Sequence, residues 1–281
     1  MLKQRVITAL LLLALLLPAL FYAQPEPFMV LTLLFIAAGG WEWARMNGVP
    51  QQSAWLLGFV CAALCAVFWM WGGIGRTLAP LWLLVGSAWV LLGAWVLSRG
   101  VAAWSSHARS LRLLLGLLAL FAAWVAVAHA RLLGVQFLLS VLALVWMADI
   151  GAYFAGRALG GKFCKRKLAA SISPGKSWEG VLGGMLGVVL LAFVWRWADA
   201  AAGHVAPSIY TVLSARGAGF MVLACLFLCA MSVVGDLVES LVKRSAGFKD
   251  SSGLLPGHGG VLDRVDALLP TLPLAMMLVS I

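Results

Sequence analysis

An all-α, polytopic membrane protein with about nine transmembrane helices is the fold class this chain predicts. Three observations carry that reading: 63% of the 281 residues are hydrophobic, the mean hydropathy is +1.02, and apolar runs recur at spanning length. A water-soluble core of this size cannot hide so much apolar surface, so lipid is the solvent for most of the chain. About 20 residues cross the hydrocarbon. Runs of that order lie at 6–23, 27–44, 53–73, 79–97, 111–129, 133–156, 178–197, 217–238 and 261–281.

The first run follows Lys3 and Arg5, as in a secretory leader, but Phe21 stands where a small residue should precede cleavage after Ala23, which favours a retained helix. The second closes on Trp41-Glu42-Trp43-Ala44-Arg45. Its two tryptophans read as interfacial anchors, with Glu42 and Arg45 in the headgroup layer. The next three runs are rich in Leu, Ala and Trp and are joined by short connections. Cys61 and Cys65, like Cys225 and Cys229, are four apart inside apolar spans and Cys164 stands alone, so the cysteines read as packing residues rather than a metal or disulfide set. Residues 1–130, whose only acids are Glu26 and Glu42, read as scaffold. Residues 131–281 hold the remaining acids and read as the catalytic region.

The sixth run contains Asp149, and an ionisable group within a span is costly unless it faces protein or water, so its default reading is functional. Tyr153 and Arg157 continue its helical face; the structural alternative is a buried hydrogen bond to another helix. Before the seventh run, Gly175-Lys176-Ser177 falls short of a Walker A loop, because Ala170 stands where glycine is required and no strand precedes it. What remains is a set of backbone N–H groups, a hydroxyl and a cation at a helix start, suited to phosphate, or a plain N-cap by Ser177. Gly180, Gly183, Gly184 and Gly187 stripe this run and permit close helix packing.

The eighth run passes without a break into Gly235–Arg244, where Asp236, Glu239, Ser240, Lys243 and then Gly247 share one helical stripe at the membrane surface. The ninth is introduced by Pro256-Gly-His-Gly-Gly-Val-Leu-Asp-Arg-Val-Asp266. Glycines there let backbone approach a ligand, and Asp263 and Asp266 face the same way, as ligands or as helix caps. Asp236 and Asp263 come from two helices and are placed to meet around a hard divalent cation, which takes carboxylate oxygens plus substrate phosphates. With its acids, Pro270 and Pro273, this run is the weakest span and favours an interfacial entry. All 20 Lys and Arg except Arg76, Arg131, Arg196 and Arg216 fall on one side, which puts the N-terminus and the basic loops in the cytoplasm. The net charge of +10 then suits anionic headgroups or nucleotides.

Ser240-x-x-Lys243-Arg244, four residues, Lys249-Asp250, then His258-Gly259-Gly260, two residues, Asp263-Arg264-x-Asp266 resembles the signature of the bacterial phosphatidate cytidylyltransferases, or CDP-diacylglycerol synthases. Asp149-x-x-Ala-Tyr-Phe-x-Gly-Arg157, the Ser173–Gly180 loop and the run at 41–45 are similar to that family as well. The resemblance implies that CTP and phosphatidate give CDP-diacylglycerol and pyrophosphate for phospholipid biosynthesis, with Mg²⁺ and room for a second cation. The reaction is implied to run at the cytoplasmic face of the cell (inner) membrane. It also implies Asp236 and Asp263 as metal ligands and, with Lys243 and Arg264, as the catalytic set. Asp149, Lys176, Ser177, Ser240, Arg244, Lys249, Asp250, His258 and Asp266 are then the substrate-binding residues. Partners are CTP, phosphatidate and membrane lipids, with no nucleic acid, and a homodimer is compatible with the family. Which cations take the triphosphate and which the lipid phosphate stays open.

Two other classes compete. A transporter or channel for an anionic solute explains an intramembrane acid but not the clustering of charge on one side. A CDP-alcohol phosphatidyltransferase would need a single helix-borne aspartate array that is not found here.

Overall fold

The computed structural model describes residues 2–203 and 206–281. In chain order it holds α1 (Leu2–Phe21), α2 (Glu26–Met46), α3 (Gln51–Met70), α4 (Ala79–Arg99), α5 (Val101–Ser106), α6 (Arg109–Leu133), α7 (Val135–Leu159), α8 (Trp178–Ala201), α9 (Ile209–Ser214), α10 (Ala218–Ser245), α11 (Leu262–Val265) and α12 (Leu268–Ser280). Among the described residues eight of these, α1 to α4, α6 to α8 and α10, are long and apolar enough to cross a membrane. The protein is an all-α, polytopic membrane protein.

The ninth run behaves differently from the other eight. It divides into the 4-residue α11 and the 13-residue α12, and at 1.5 Å per residue α12 reaches only about 20 Å of a hydrocarbon layer about 30 Å thick. Leu269 through Met276 are all buried, and the helix packs against α4, α6 and α10. A helix apolar on every side is solvated equally well by lipid or by other helices, and composition does not separate the two.

Small residues set the tightest contacts. A Cβ on Gly58 of α3 would strike the Ala37 carbonyl of α2, and one on Gly183 of α8 would strike Ala155 and lie 2.9 Å from the Gly151 carbonyl of α7. The glycine stripe of α8 therefore packs on α7, the helix that carries Asp149. At the other end of α8, Asp199 accepts hydrogen bonds from the Ser208 N–H and hydroxyl and from the Thr211 hydroxyl, tying α8 to α9. The cysteines are free, and all but Cys164 are buried.

One expectation is corrected. Trp41 and Trp43 are 7% and 6% exposed and Glu42 is 0% exposed, so this segment is not a headgroup anchor. Trp41 stacks on Trp55 at 4.7 Å. Trp43 donates its indole N–H to the Arg112 carbonyl at 2.8 Å. The physical reason is that these side chains have protein partners from α3 and α6, so they face the bundle rather than the membrane surface.

Candidate active site

The site forms where α7, the loop ahead of α8, the last turns of α10 and the segment leading into α11 converge. The 28 residues of α10 span about 42 Å, more than the hydrocarbon thickness, so the helix carries its final polar turns to the membrane surface without a break. There the expected stripe is present. Ser240 donates to Asp236 Oδ1 at 3.2 Å, and Lys243 Nζ lies 2.5 Å from Glu239 Oε2 one turn back.

The loop before α8 is folded by its own backbone. Leu168 N–H donates to the Lys176 carbonyl and Lys176 N–H to Ser173, closing a tight turn. Ser177 caps α8 by accepting from Gly180 N–H at 3.1 Å, so its hydroxyl has the structural role anticipated as an alternative. Buried Glu179 accepts from Phe163 and Cys164 N–H and holds the preceding turn in place. This architecture sends Lys176 toward α10, where its ammonium lies 2.6 Å from Asp236 Oδ2. Asp149 of α7 lies within electrostatic reach of Asp236, Lys176 and Arg264. An open acid–cation group thus gathers residues from four separate stretches of sequence.

A second, deeper group adjoins it. Lys243 Nζ lies 2.5 Å from Asp263 Oδ1 as well as from Glu239. Asp263 Oδ2 accepts from the Ser251 N–H, the Ser251 hydroxyl and the Gly260 N–H, each at 2.8 Å. Burial alone would raise the Asp263 carboxyl, but the Lys243 ammonium and the Gly260 and Ser251 donors outweigh it and hold the group below the usual aspartate range. Asp266 is pushed the other way. Burial, and then the nearby Asp236 charge, raise it to about 7, against one bond from the Ala267 N–H. Gly235 permits this proximity, since a Cβ there would lie 2.5 Å from the Asp266 carbonyl.

The remaining expected residues sit around these groups. Arg264 donates through Nε to the His258 carbonyl at 3.0 Å, so His258 contributes its backbone there. Arg244 reaches the Ile172 and Phe248 carbonyls and is exposed, as are Lys249 and Asp250. Gly259 has φ +81°, and a Cβ there would lie 2.6 Å from Asp263 Oδ2, so glycine is required by conformation and by space.

One participant is absent from the expected set. Glu42, on α2, accepts from the hydroxyl of Ser252 and from the N–H groups of Val261 and Leu262, and its Oε2 lies 3.2 Å from the Ser251 hydroxyl. Its sequence signals are rarity, as one of two acids in the first 130 residues, and its place in the 41–45 run.

Apolar space lies beside the polar groups. A cavity of about 290 Å³ runs between α1, α2, α6, α7 and α12, with Leu16, Phe28, Trp124 and Leu139 in its walls, and Arg264 lines it too. Among the described residues no group of three His, Cys, Asp or Glu side chains forms a ready metal cage. The donor set nonetheless suits a hard cation such as Mg²⁺, which is held by one or two carboxylates together with substrate phosphates.

The comparisons agree in one direction. The family model described as the cytidylyltransferase family matches residues 3–281. A phosphatidate cytidylyltransferase of Pseudomonas aeruginosa is 39% identical over 97% of this chain and 95% of its own length. One of Haemophilus influenzae is 37% identical over 97% of this chain and 96% of its own. A third, from Bacillus subtilis, is 38% identical over 53% of this chain and 49% of its own. Nothing among them supports a transporter. With the match running from residue 3 to the last residue, the chain belongs to the cytidylyltransferase family.

Proposed function

We propose that this protein is a phosphatidate cytidylyltransferase, converting CTP and phosphatidate to CDP-diacylglycerol and pyrophosphate in the cell (inner) membrane, with its site facing the cytoplasm. The observation that carries the reading is Arg264. It lines the apolar cavity and lies within electrostatic reach of Asp149 in the acid–lysine group, so one cation borders both a place for acyl chains and a place for phosphates. A lipid phosphate and a water-soluble triphosphate need that junction.

In this reading an ionised phosphatidate oxygen attacks the α-phosphorus of CTP, the new P–O bond forms, and the bond to the pyrophosphate oxygen breaks. Phosphatidate is already ionised, so no protein nucleophile is required. Lys176, Lys243 and Arg264, with exposed Arg244 and Lys249, bind and orient the phosphates and stabilise charge on the departing pyrophosphate. Ser177 holds the Lys176 loop on α8, and Ser240 fixes Asp236. Asp149, Asp250, His258 and Asp266 orient those cations. Asp236 and Asp263 would hold Mg²⁺, which when bound neutralises charge on the triphosphate. Residues 1–130 supply the scaffold and 131–281 most of the site, and a homodimer is compatible with this arrangement.

The test is direct. Purified protein given labelled CTP, phosphatidate and Mg²⁺ is expected to form a lipid-extractable cytidine nucleotide and release one pyrophosphate for each. Anionic solute flux in vesicles without liponucleotide formation would overturn the assignment.

A further inference from the structure

Glu42 is fully buried, and its two oxygens are used alike. Oε1 accepts from Val261 N–H at 2.9 Å and from the Ser252 hydroxyl at 2.5 Å; Oε2 accepts from Leu262 N–H at 2.7 Å and lies 3.2 Å from the Ser251 hydroxyl. Among the described residues no Lys or Arg pairs with it, so neutral donors alone surround its two oxygens. Those donors lie 209 to 220 positions away in sequence and bracket the segment that presents Asp263. Val261, which precedes α11, offers no side-chain cap of its own; Glu42 takes that place from another helix. Ser251 connects the two acids, since its hydroxyl is also 2.8 Å from Asp263 Oδ2.

We propose that Glu42 is a positioning residue for nucleotidyl transfer: it clamps the 251–262 backbone and so fixes the direction in which Asp263 is presented. The inference rests on the assignment of Asp263 to the catalytic set. It also explains why the residue must be a carboxylate. Each oxygen accepts one backbone N–H, so a glutamine in either flip would aim its NH₂ group at a buried N–H, leaving donor against donor. Space is equally specific, because a Cβ on Gly260 would collide with both Ser251 Oγ and Glu42 Oε1.

The experiment uses the full chain in mixed micelles, comparing wild type, Glu42→Gln, Ser252→Ala and the double variant. Turnover is measured with CTP, phosphatidate and Mg²⁺, and hydrogen–deuterium exchange is followed by peptide. Glu42→Gln is expected to lower kcat about 10- to 100-fold, the range for residues that orient a site from behind, with KM for both substrates within about threefold. Exchange should rise in 251–262 while α4 and α6 stay as in wild type. Ser252→Ala, which removes one donor and leaves the clamp, is expected to cost only a few-fold, and to cost nothing further once Glu42 is gone. A Glu42→Gln enzyme with kcat within twofold of wild type, or a rise in exchange spread evenly over the bundle, overturns the proposal. If wild type itself forms no liponucleotide, the functional assignment falls, and exchange at 251–262 still decides whether Glu42 orders that segment.

Discussion

Two acid–lysine pairs of like chemistry lie side by side in opposite surroundings. Lys176 and Asp236 are 2.6 Å apart with side chains 25% and 32% exposed; Lys243 and Asp263 are 2.5 Å apart at 11% and 6%. The first pair joins a loop to a helix and has one further bond, from Ser240. The second is held by Glu239, Ser251 and Gly260 as well. An ion pair open to water contributes about 0–1 kcal/mol, so an incoming phosphate or cation can replace either partner at little cost. Removing one partner of a buried pair costs about 3–5 kcal/mol, because the other charge is stranded. The open pair is therefore the more readily exchanged part of the candidate site, and the buried pair the part whose partners are costly to separate.

The aspartates test this contrast most severely. Asp263→Asn is expected to lower kcat/KM about 10³-fold, equivalent to about 4 kcal/mol of transition-state stabilisation, and also to lower stability by about 3 kcal/mol. Asp236→Asn should lower turnover comparably while stability stays within about 0.5 kcal/mol. Liponucleotide assays and thermal melts of both variants read this out, and equal losses of stability would erase the distinction. The lysines come next. Lys243→Met leaves Glu239 and Asp263 without their shared cation and should destabilise by about 3 kcal/mol, whereas Lys176→Met should cost about 1 kcal/mol or less in a melt and act mainly on substrate affinity. Gly260→Ala, which crowds Ser251 and Glu42, is expected to cost about 1–3 kcal/mol. Gly253→Ala, with nothing within 4 Å of its added Cβ, is its control.

Much of this arrangement was legible in the sequence, for reasons that differ by residue. The α10 stripe could be read because three- and four-residue spacing fixes a helical face, and the Lys243–Glu239 pair follows from it. The glycine stripe of α8 announced close packing, though not that its partner is α7. Lys176 and Asp236 each stand out in the sequence, but their pairing does not, because a loop brings them together. Glu42 reads in the sequence as a headgroup residue because its partners lie in the other half of the chain. A glutamate between two tryptophans at the end of an apolar run looks the same whether it faces headgroups or a buried clamp. The run that forms α12 reads as the weakest span, because composition cannot tell a lipid-facing helix from one surrounded by protein.

The finest form of the contrast lies between Asp263 and Asp266, three residues apart and shifted in opposite directions. A carboxyl held below its ordinary value stabilises the fold above that value, and the contribution is lost as pH falls through its lowered one. A carboxyl raised to about 7 does the reverse: its contribution is whole below the ordinary aspartate range, is lost as pH rises from there toward its raised value, and changes no further above it. Melts in EDTA between pH 5 and 8, a range above the titration of Asp263, report on Asp266 through the difference between wild type and Asp266→Asn. Wild type is expected to lose about 2–4 °C more than Asp266→Asn across that range, the scale of a 1 kcal/mol change. If both slopes were the same, Asp266 would be ionised throughout. Burial, and the Asp236 charge that joins the open pair to the buried one, would then be too weak to hold its proton.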